Sequence, residues 1–195
     1  DIGASSGSFL RALQQEFHAE GVGVEPGNAY RALAEAQGLS MVESLPELIA
    51  SQPDRFDLVS LMHVLEHLPD PVGVLRQIRE ELLTPQGWLL LEVPNFYAHN
   101  SYELAHLSCF TPHTIAEALS KAGYEVVCLR QHGYPRSELF KLYLNVLTRP
   151  NANSPVDYEV QPEKAVPLKR SFAIAWRDLR ARLDPQRSWL PTEEK

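Results

Sequence analysis

The chain has 195 residues, 44% hydrophobic and 22% charged, enough for one domain with a sizeable core plus an extension. A net charge of −7 gives no support for nucleic acid as the main partner, because phosphate backbones favour basic surfaces. Cys109 and Cys128 are too few for a disulfide framework or a thiolate-built zinc site. With no signal-peptide pattern and no apolar run near the ~20 residues that span a bilayer, they predict reduced thiols in a cytoplasmic protein.

The chain opens on Asp1-Ile2, which reads as the tip of a strand and predicts a piece of a longer protein. Gly3-Ala4-Ser5-Ser6-Gly7 follows, a turn with almost no side-chain bulk, so a ligand can approach its backbone. Phe9, Leu10, Leu13 and Phe17 then mark a helix over 8–20 whose N-terminus attracts negative atoms. Taken alone, the same turn also serves as plain strand–helix punctuation. Val22-Gly23-Val24-Glu25-Pro26 is a short buried strand with a carboxylate at its tip, suited to accept from two vicinal hydroxyls of a ribose. Asn28 to Gln37 is a helix closed by Gly38, Ser40–Glu43 a strand, and Pro46–Ser51 a short helix.

Phe56–Met62 reads as a central parallel strand covered on both faces. His63–His67 follows it directly, and Asp70 with Pro71 announces a helix with Leu75, Ile78 and Leu82 inward. Pro85-Gln86-Gly87 is expected as a turn before a strand Trp88–Val93, then a loop over 96–110 rich in aromatics and histidine. Thr111 and Pro112 open a helix ending at Gly123, and Tyr124–Leu129 and Leu139–Leu147 form a last pair of strands. Their short connection predicts an antiparallel hairpin. The alternation defines an α/β, doubly wound, mostly parallel sheet of Rossmann-like type over residues 1–149. Residues 150–195 read as a linker and an amphipathic helix with Phe172, Trp176, Leu179 and Leu183 on one face. That face is expected to pack on its own domain or a second copy, or to meet a partner or membrane surface through 168–183.

Four segments, in order and at this spacing, resemble the class I S-adenosylmethionine-dependent methyltransferases. They are Asp1–Gly7 with Glu25, Phe56–Val59 with His63-Val64-Leu65-Glu66-His67-Leu68-Pro69-Asp70-Pro71, Pro85–Asn95, and Phe110–Thr114 with Ala122–Val127. The likeness covers roughly residues 1–130 and is nearest the branch that includes quinone-biosynthesis and sugar methyltransferases. It implies that Asp1, Gly3, Ala4, Ser5 and Gly7 surround the methionine part of S-adenosyl-L-methionine. Glu25 would hold the ribose, and Met62 and His63 would flank the adenosyl group. The family pattern is Asp-x-Gly-x-Gly-x-Gly, and its middle glycine is Ser5 here, a substitution expected to weaken cofactor binding if that position needs a positive φ.

A sulfonium methyl is already activated, so the protein supplies alignment, water exclusion and, for an oxygen or acidic-carbon acceptor, a base. His63, His67, His99 and His106 sit where strand ends and loops should line the cleft, and His67 and His106 are the candidates for acceptor binding or proton transfer. A small-molecule or carbohydrate acceptor is expected, with 96–102 placed to stack on a sugar or quinoid ring. No metal is expected: His63 and His67 have i, i+4 spacing but lack the glutamate of the zinc-protease pattern and an evident third ligand. Two other readings stay open. One is an NAD-dependent oxidoreductase, although the full Gly-x-Gly-x-x-Gly and a Tyr-x-x-x-Lys pair are absent. The other is a non-catalytic binding or assembly module.

Overall fold

A computed structural model describes residues 1–51, 54–100, 103–153 and 157–191. Its strands and helices alternate: α1 (Ser8–Phe17), β1 (Val22–Val24), α2 (Asn28–Glu35), β2 (Ser40–Val42), α3 (Leu45–Ser51), β3 (Phe56–Met62). A 3-10 turn, Leu65–His67, leads to α4 (Pro71–Gln77), which widens into a π turn, Ile78–Leu82. Then come β4 (Leu83–Pro94), α5 (Pro112–Lys121), β5 (Tyr124–His132), β6 (Tyr143–Pro150), α6 (Val166–Leu183) and α7 (Pro185–Ser188).

β1 pairs in parallel with β2, and β3 with β4. Ile2 bridges the two groups, in parallel with Val24 on one side and Leu61 on the other. The resulting order is β2–β1–Ile2–β3–β4–β6–β5, with β6 antiparallel to both its neighbours. Mostly parallel strands with a terminal antiparallel pair is the α/β architecture the sequence predicts. The order reverses at Ile2, and in open α/β sheets ligands bind at such a reversal, beyond the carboxyl ends of the strands.

The core lies along β3, β4 and β6. Leu61, Leu89, Leu91, Leu144 and Val146 are fully buried, with Leu75 and Ile78 from α4 and its π turn, and Ile115 and Leu119 from α5. The caps expected at Asp70 and Thr111 form, whereas Asn28, also expected to cap, is the first residue of α2 and Gly27 stands at its cap without a side-chain bond. Asp70 Oδ1 accepts from Gly73 N–H at 2.8 Å, and Thr111 and Thr114 make a reciprocal capping box.

Of the differences from expectation, which include β5 running on to His132 and β6 to Pro150, four have a clear local reason. α1 ends at Phe17 rather than reaching residue 20, because His18 takes the left-handed closing position at φ 53°. Thr84–Gly87 belong to β4 as an excursion opposite Asp57, between the pairs Phe56–Leu83 and Leu58–Trp88; Pro85 has no N–H to give a ladder. β3 is covered on both faces only at Val59–Leu61, since Asp57 and Leu58 are exposed. β6 begins at Tyr143, not Leu139, because the Ser137 hydroxyl accepts from the N–H groups of Leu139 and Phe140 and holds them in a turn.

The segment after β6 folds back on the domain. Glu117 on α5 accepts from the Tyr158 hydroxyl and from Gln161 N–H. The Glu163 carboxylate, little exposed, accepts from the Tyr97 and Thr111 hydroxyls and pairs with Lys169 at 2.9 Å. Burial would push that carboxyl up, but the hydrogen bonds from Thr111, Lys169 and Tyr97 outweigh it and hold it at about 2.

Candidate active site

At the sheet reversal the chain turns through Gly3, Ser5 and Gly7, all at positive φ (75°, 49° and 77°). Gly3 and Gly7 have no substitute there: an added Cβ would lie 2.3 Å from Val64 Cγ2 at the first and 2.2 Å from Leu39 Cδ1 at the second. Ala4 is buried, and Gly3 and Ala4 both donate to Val24 O, at 2.8 and 3.0 Å. Glu25 closes the turn. Its Oε2 accepts from Ser5 N–H at 2.8 Å and its Oε1 from Gly27 N–H at 2.7 Å. Gly7 stands at the N-cap of α1 and has no side chain to cap it, so the helix's first-turn N–H groups are left for solvent or a ligand. Asp1 lies beside the turn, but its carboxylate accepts from the Ser60 hydroxyl at 2.9 Å, facing β3.

Ser5 carries the strain that the sequence predicts for a residue in place of glycine. A left-handed non-glycine backbone costs about 1–2 kcal/mol, partly offset by the greater freedom glycine gains in the unfolded chain. Ser5→Gly should therefore raise unfolding free energy by about 0.5–1 kcal/mol and the melting temperature by roughly 1–4 °C. A calorimetric melt checks it.

The second half of the site is a cavity of about 270 Å³ beyond the ends of β3 and β4, lined by His63, Glu66, His67, Phe96, His99, His106, Cys109, Arg136 and Tyr143 among others. All four histidines singled out in the sequence therefore meet at one place. Met62, half-buried at the end of β3, pairs with Glu92. His63 stands at φ 57° between two carboxylates, with Nε2 3.1 Å from Glu92 Oε1 and Nδ1 3.4 Å from Glu66 Oε1. Its ring meets Tyr143 edge-on, so it belongs to the cavity wall as well as to the strand end expected near the adenosyl group.

Glu66 first and Glu92 second hold the His63 imidazolium up to about 9, against the opposing effect of burial. At Glu92, burial pushes the carboxyl up, but hydrogen bonds from His63 and Asn145 bring it below the usual range. A histidine raised in the folded state contributes stability that is complete below its ordinary value of 6.5 and lost as pH rises through about 9. Urea unfolding midpoints should thus fall across that window. His63→Gln should remove that part of the slope.

His67 Nδ1 lies 2.9 Å from Ala105 O. A carbonyl only accepts, so Nδ1 carries the hydrogen and, in the neutral ring, Nε2 presents a lone pair. His106 Nε2 faces Glu103 Oε2 at 3.3 Å, and the two rings meet edge-to-face with centroids 4.8 Å apart. His99 donates through Nε2 to Leu142 O, and burial keeps it below the ordinary histidine value. Sequence reasoning missed Glu66. It is 1% exposed, and among the described residues neither carboxylate oxygen has a hydrogen-bond partner, imidazole nitrogens standing 3.4 and 4.0 Å away. Its signal was an acid directly after apolar Val64-Leu65 and before a histidine.

Glu66, His67 and His106 also bring ligand-type atoms within 4.8 Å of one another, a grouping that leaves out His63 of the i, i+4 pair. A carboxylate and two imidazoles whose far nitrogens meet a carbonyl and a carboxylate is a donor set able to take a divalent transition metal. Of the aromatic loop, Phe96 and His99 reach the cavity, Tyr97 is turned to Glu163, and residues 101–102 lie outside the described residues.

Comparison with known proteins gives the class. A family profile described as "Methyltransferase domain" matches residues 1–129, and the chain belongs to that family, the class I methyltransferases with S-adenosylmethionine as cofactor. Among curated relatives, the ubiquinone biosynthesis O-methyltransferase of Leptothrix cholodnii is 29% identical over 103 residues, 49% of this chain and 43% of that protein. The enzyme of the same name from Aeromonas salmonicida is 36% identical over 101 residues, 49% of this chain and 42% of that protein. The matched part is thus less than half the length of these relatives. In fold, the chain is similar to an S-adenosylmethionine-dependent methyltransferase from Archaeoglobus fulgidus, with a TM-score of 0.62 at 19% identity, covering 76% of this chain and 84% of that one.

Proposed function

We propose that this chain carries the catalytic domain of an O-methyltransferase acting on a hydroxyl of a small molecule, with a quinoid-precursor phenol favoured over a carbohydrate. The likeness to ubiquinone biosynthesis O-methyltransferases supports the acceptor class. The observation that carries the reading is a positive-φ turn closed by Glu25 whose Gly3 packs on Val64, in the same segment as His63, Glu66 and His67 of a histidine-lined cavity.

The turn suits the family's cofactor. The uncapped N-terminus of α1 fits a carboxylate, and each Glu25 oxygen, having accepted one N–H, keeps a lone pair for a ribose hydroxyl. Gly3, Ala4, Ser5 and Gly7 would form the floor, with Asp1 behind them and Met62 and His63 alongside. When bound, the cofactor supplies a methyl group already activated on sulfonium sulfur. The chain's own work is to hold the acceptor oxygen in line, exclude water and take its proton. His67 Nε2 is the proton acceptor, positioned by Ala105 O, with His106 beside it and buried Glu66 stabilising the imidazolium that forms. Phe96 and Tyr143 supply aromatic walls for a ring.

The test is transfer of labelled methyl from S-adenosylmethionine to a panel of phenols, catechols and sugars. Labelled phenolic ether is the expected product. Labelled sugar alone would replace the acceptor, and no product with any of them, while the cofactor binds, would favour a non-catalytic module.

A further inference from the structure

α6 is docked by its polar side. Arg170 Nη2 donates to His99 O at 2.7 Å and Arg177 Nη1 to Ala98 O at 2.8 Å, while Ala181 packs against the small cluster of Phe140 and Leu142. The apolar side looks outward: Leu168, Phe172, Trp176, Leu179 and Leu183 are 73, 72, 52, 47 and 72% exposed, and no residue of the helix is buried. A helix lying on its own domain ordinarily does the reverse. The five side chains follow one another at three- and four-residue steps, so they form a single stripe more than four turns long.

Charge decides what the stripe fits. Between Lys164 and Arg187 there are seven basic and two acidic residues; Arg170 and Arg177 bond to the domain and Lys169 and Arg187 pair with Glu163 and Glu138, which leaves Lys164, Arg180 and Arg182 for the outward side. Arg180 and Arg182 border the stripe, and a helix pair made by a second copy would bring basic flanks together, because Asp178 and Asp184 already pair with Arg177 and Arg187. An anionic lipid surface takes both the apolar stripe and the arginines.

We propose that α6 is a membrane-surface helix whose Leu168–Leu183 stripe enters the headgroup boundary of an anionic phospholipid bilayer. The same helix holds the carbonyls of Ala98 and His99, and His99 lines the cavity. Docking therefore sets the cavity wall one helix away from the lipid, where an apolar acceptor would be dissolved. This consequence rests on the methyltransferase reading; the lipid binding does not.

The test is co-sedimentation of the chain with phosphatidylglycerol-containing vesicles and with pure phosphatidylcholine vesicles, alongside tryptophan emission and sedimentation equilibrium. Binding to the anionic vesicles only, weakened by salt and accompanied by a blue shift, is expected. Phe172→Ser with Leu179→Ser should weaken it at least about tenfold, with the melting temperature and S-adenosylhomocysteine affinity unchanged. No vesicle binding, binding that this double variant leaves intact, or a dimer that it dissolves in the absence of vesicle binding would overturn the proposal.

Discussion

Glu25→Ala should lower the affinity of the chain for S-adenosylhomocysteine by about a hundredfold or more. The carboxylate does two jobs that fail together. It closes the turn through Ser5 N–H and Gly27 N–H, at 2.8 and 2.7 Å, and it is the one acid placed to accept from ribose hydroxyls under the proposed reading. Hydrogen bonds to a charged group contribute about 1.5–3 kcal/mol each, and about 2.7 kcal/mol is already a hundredfold. Glu25→Gln keeps one acceptor oxygen and should fall between. Isothermal calorimetry measures both, with the thermal melt of each variant as the control for folding.

His67→Ala should cut the methyl-transfer rate by roughly a hundred- to ten-thousandfold and leave S-adenosylhomocysteine affinity unchanged. The residue stands in the cavity rather than on the glycine turn, and its Nε2, 4.0 Å from Glu66 Oε1, is the ring nitrogen that Ala105 O does not engage. His106→Ala should follow with a smaller loss, since its Nε2 faces the Glu103 carboxylate and its ring contacts His67. The double variant should be little worse than His67→Ala alone, because groups acting as one unit do not add. Single-turnover rates on an acceptor found in the labelled-methyl panel check this. A loss of cofactor affinity equal to the loss of rate would instead place His67 on the cofactor side.

What was legible in the chain were the features that local chemistry dictates. Asp70 with Pro71 and Thr111 with Pro112 signal helix starts through their own donors and acceptors, and both caps form where expected. The glycine turn, the acid at the tip of β1 and the meeting of four histidines were also readable, because each lies at a strand end or in the loop that follows one, and those share one edge of a parallel sheet. What was not legible depended on contacts distant in sequence. The burial of Glu66 needs the cavity wall around it, and Glu92 becomes the partner of both His63 and His132 only when β3, β4 and β5 are assembled. Glu163 lies in a stretch that reads as linker, yet it ties Tyr97, Thr111 and Lys169 together across the fold. Amphipathic periodicity located α6, but periodicity alone does not say that the arginine side faces inward.

The central claim is that the turn at Gly3–Gly7 with Glu25 is an adenosyl-sulfur site. Its most direct test is a calorimetric titration of the chain, and of Glu25→Ala, with S-adenosylhomocysteine and with NAD. Binding of S-adenosylhomocysteine alone, weakened about a hundredfold in the variant, is the predicted result. Binding of NAD in its place, or S-adenosylhomocysteine affinity that Glu25→Ala leaves untouched, would contradict the assignment.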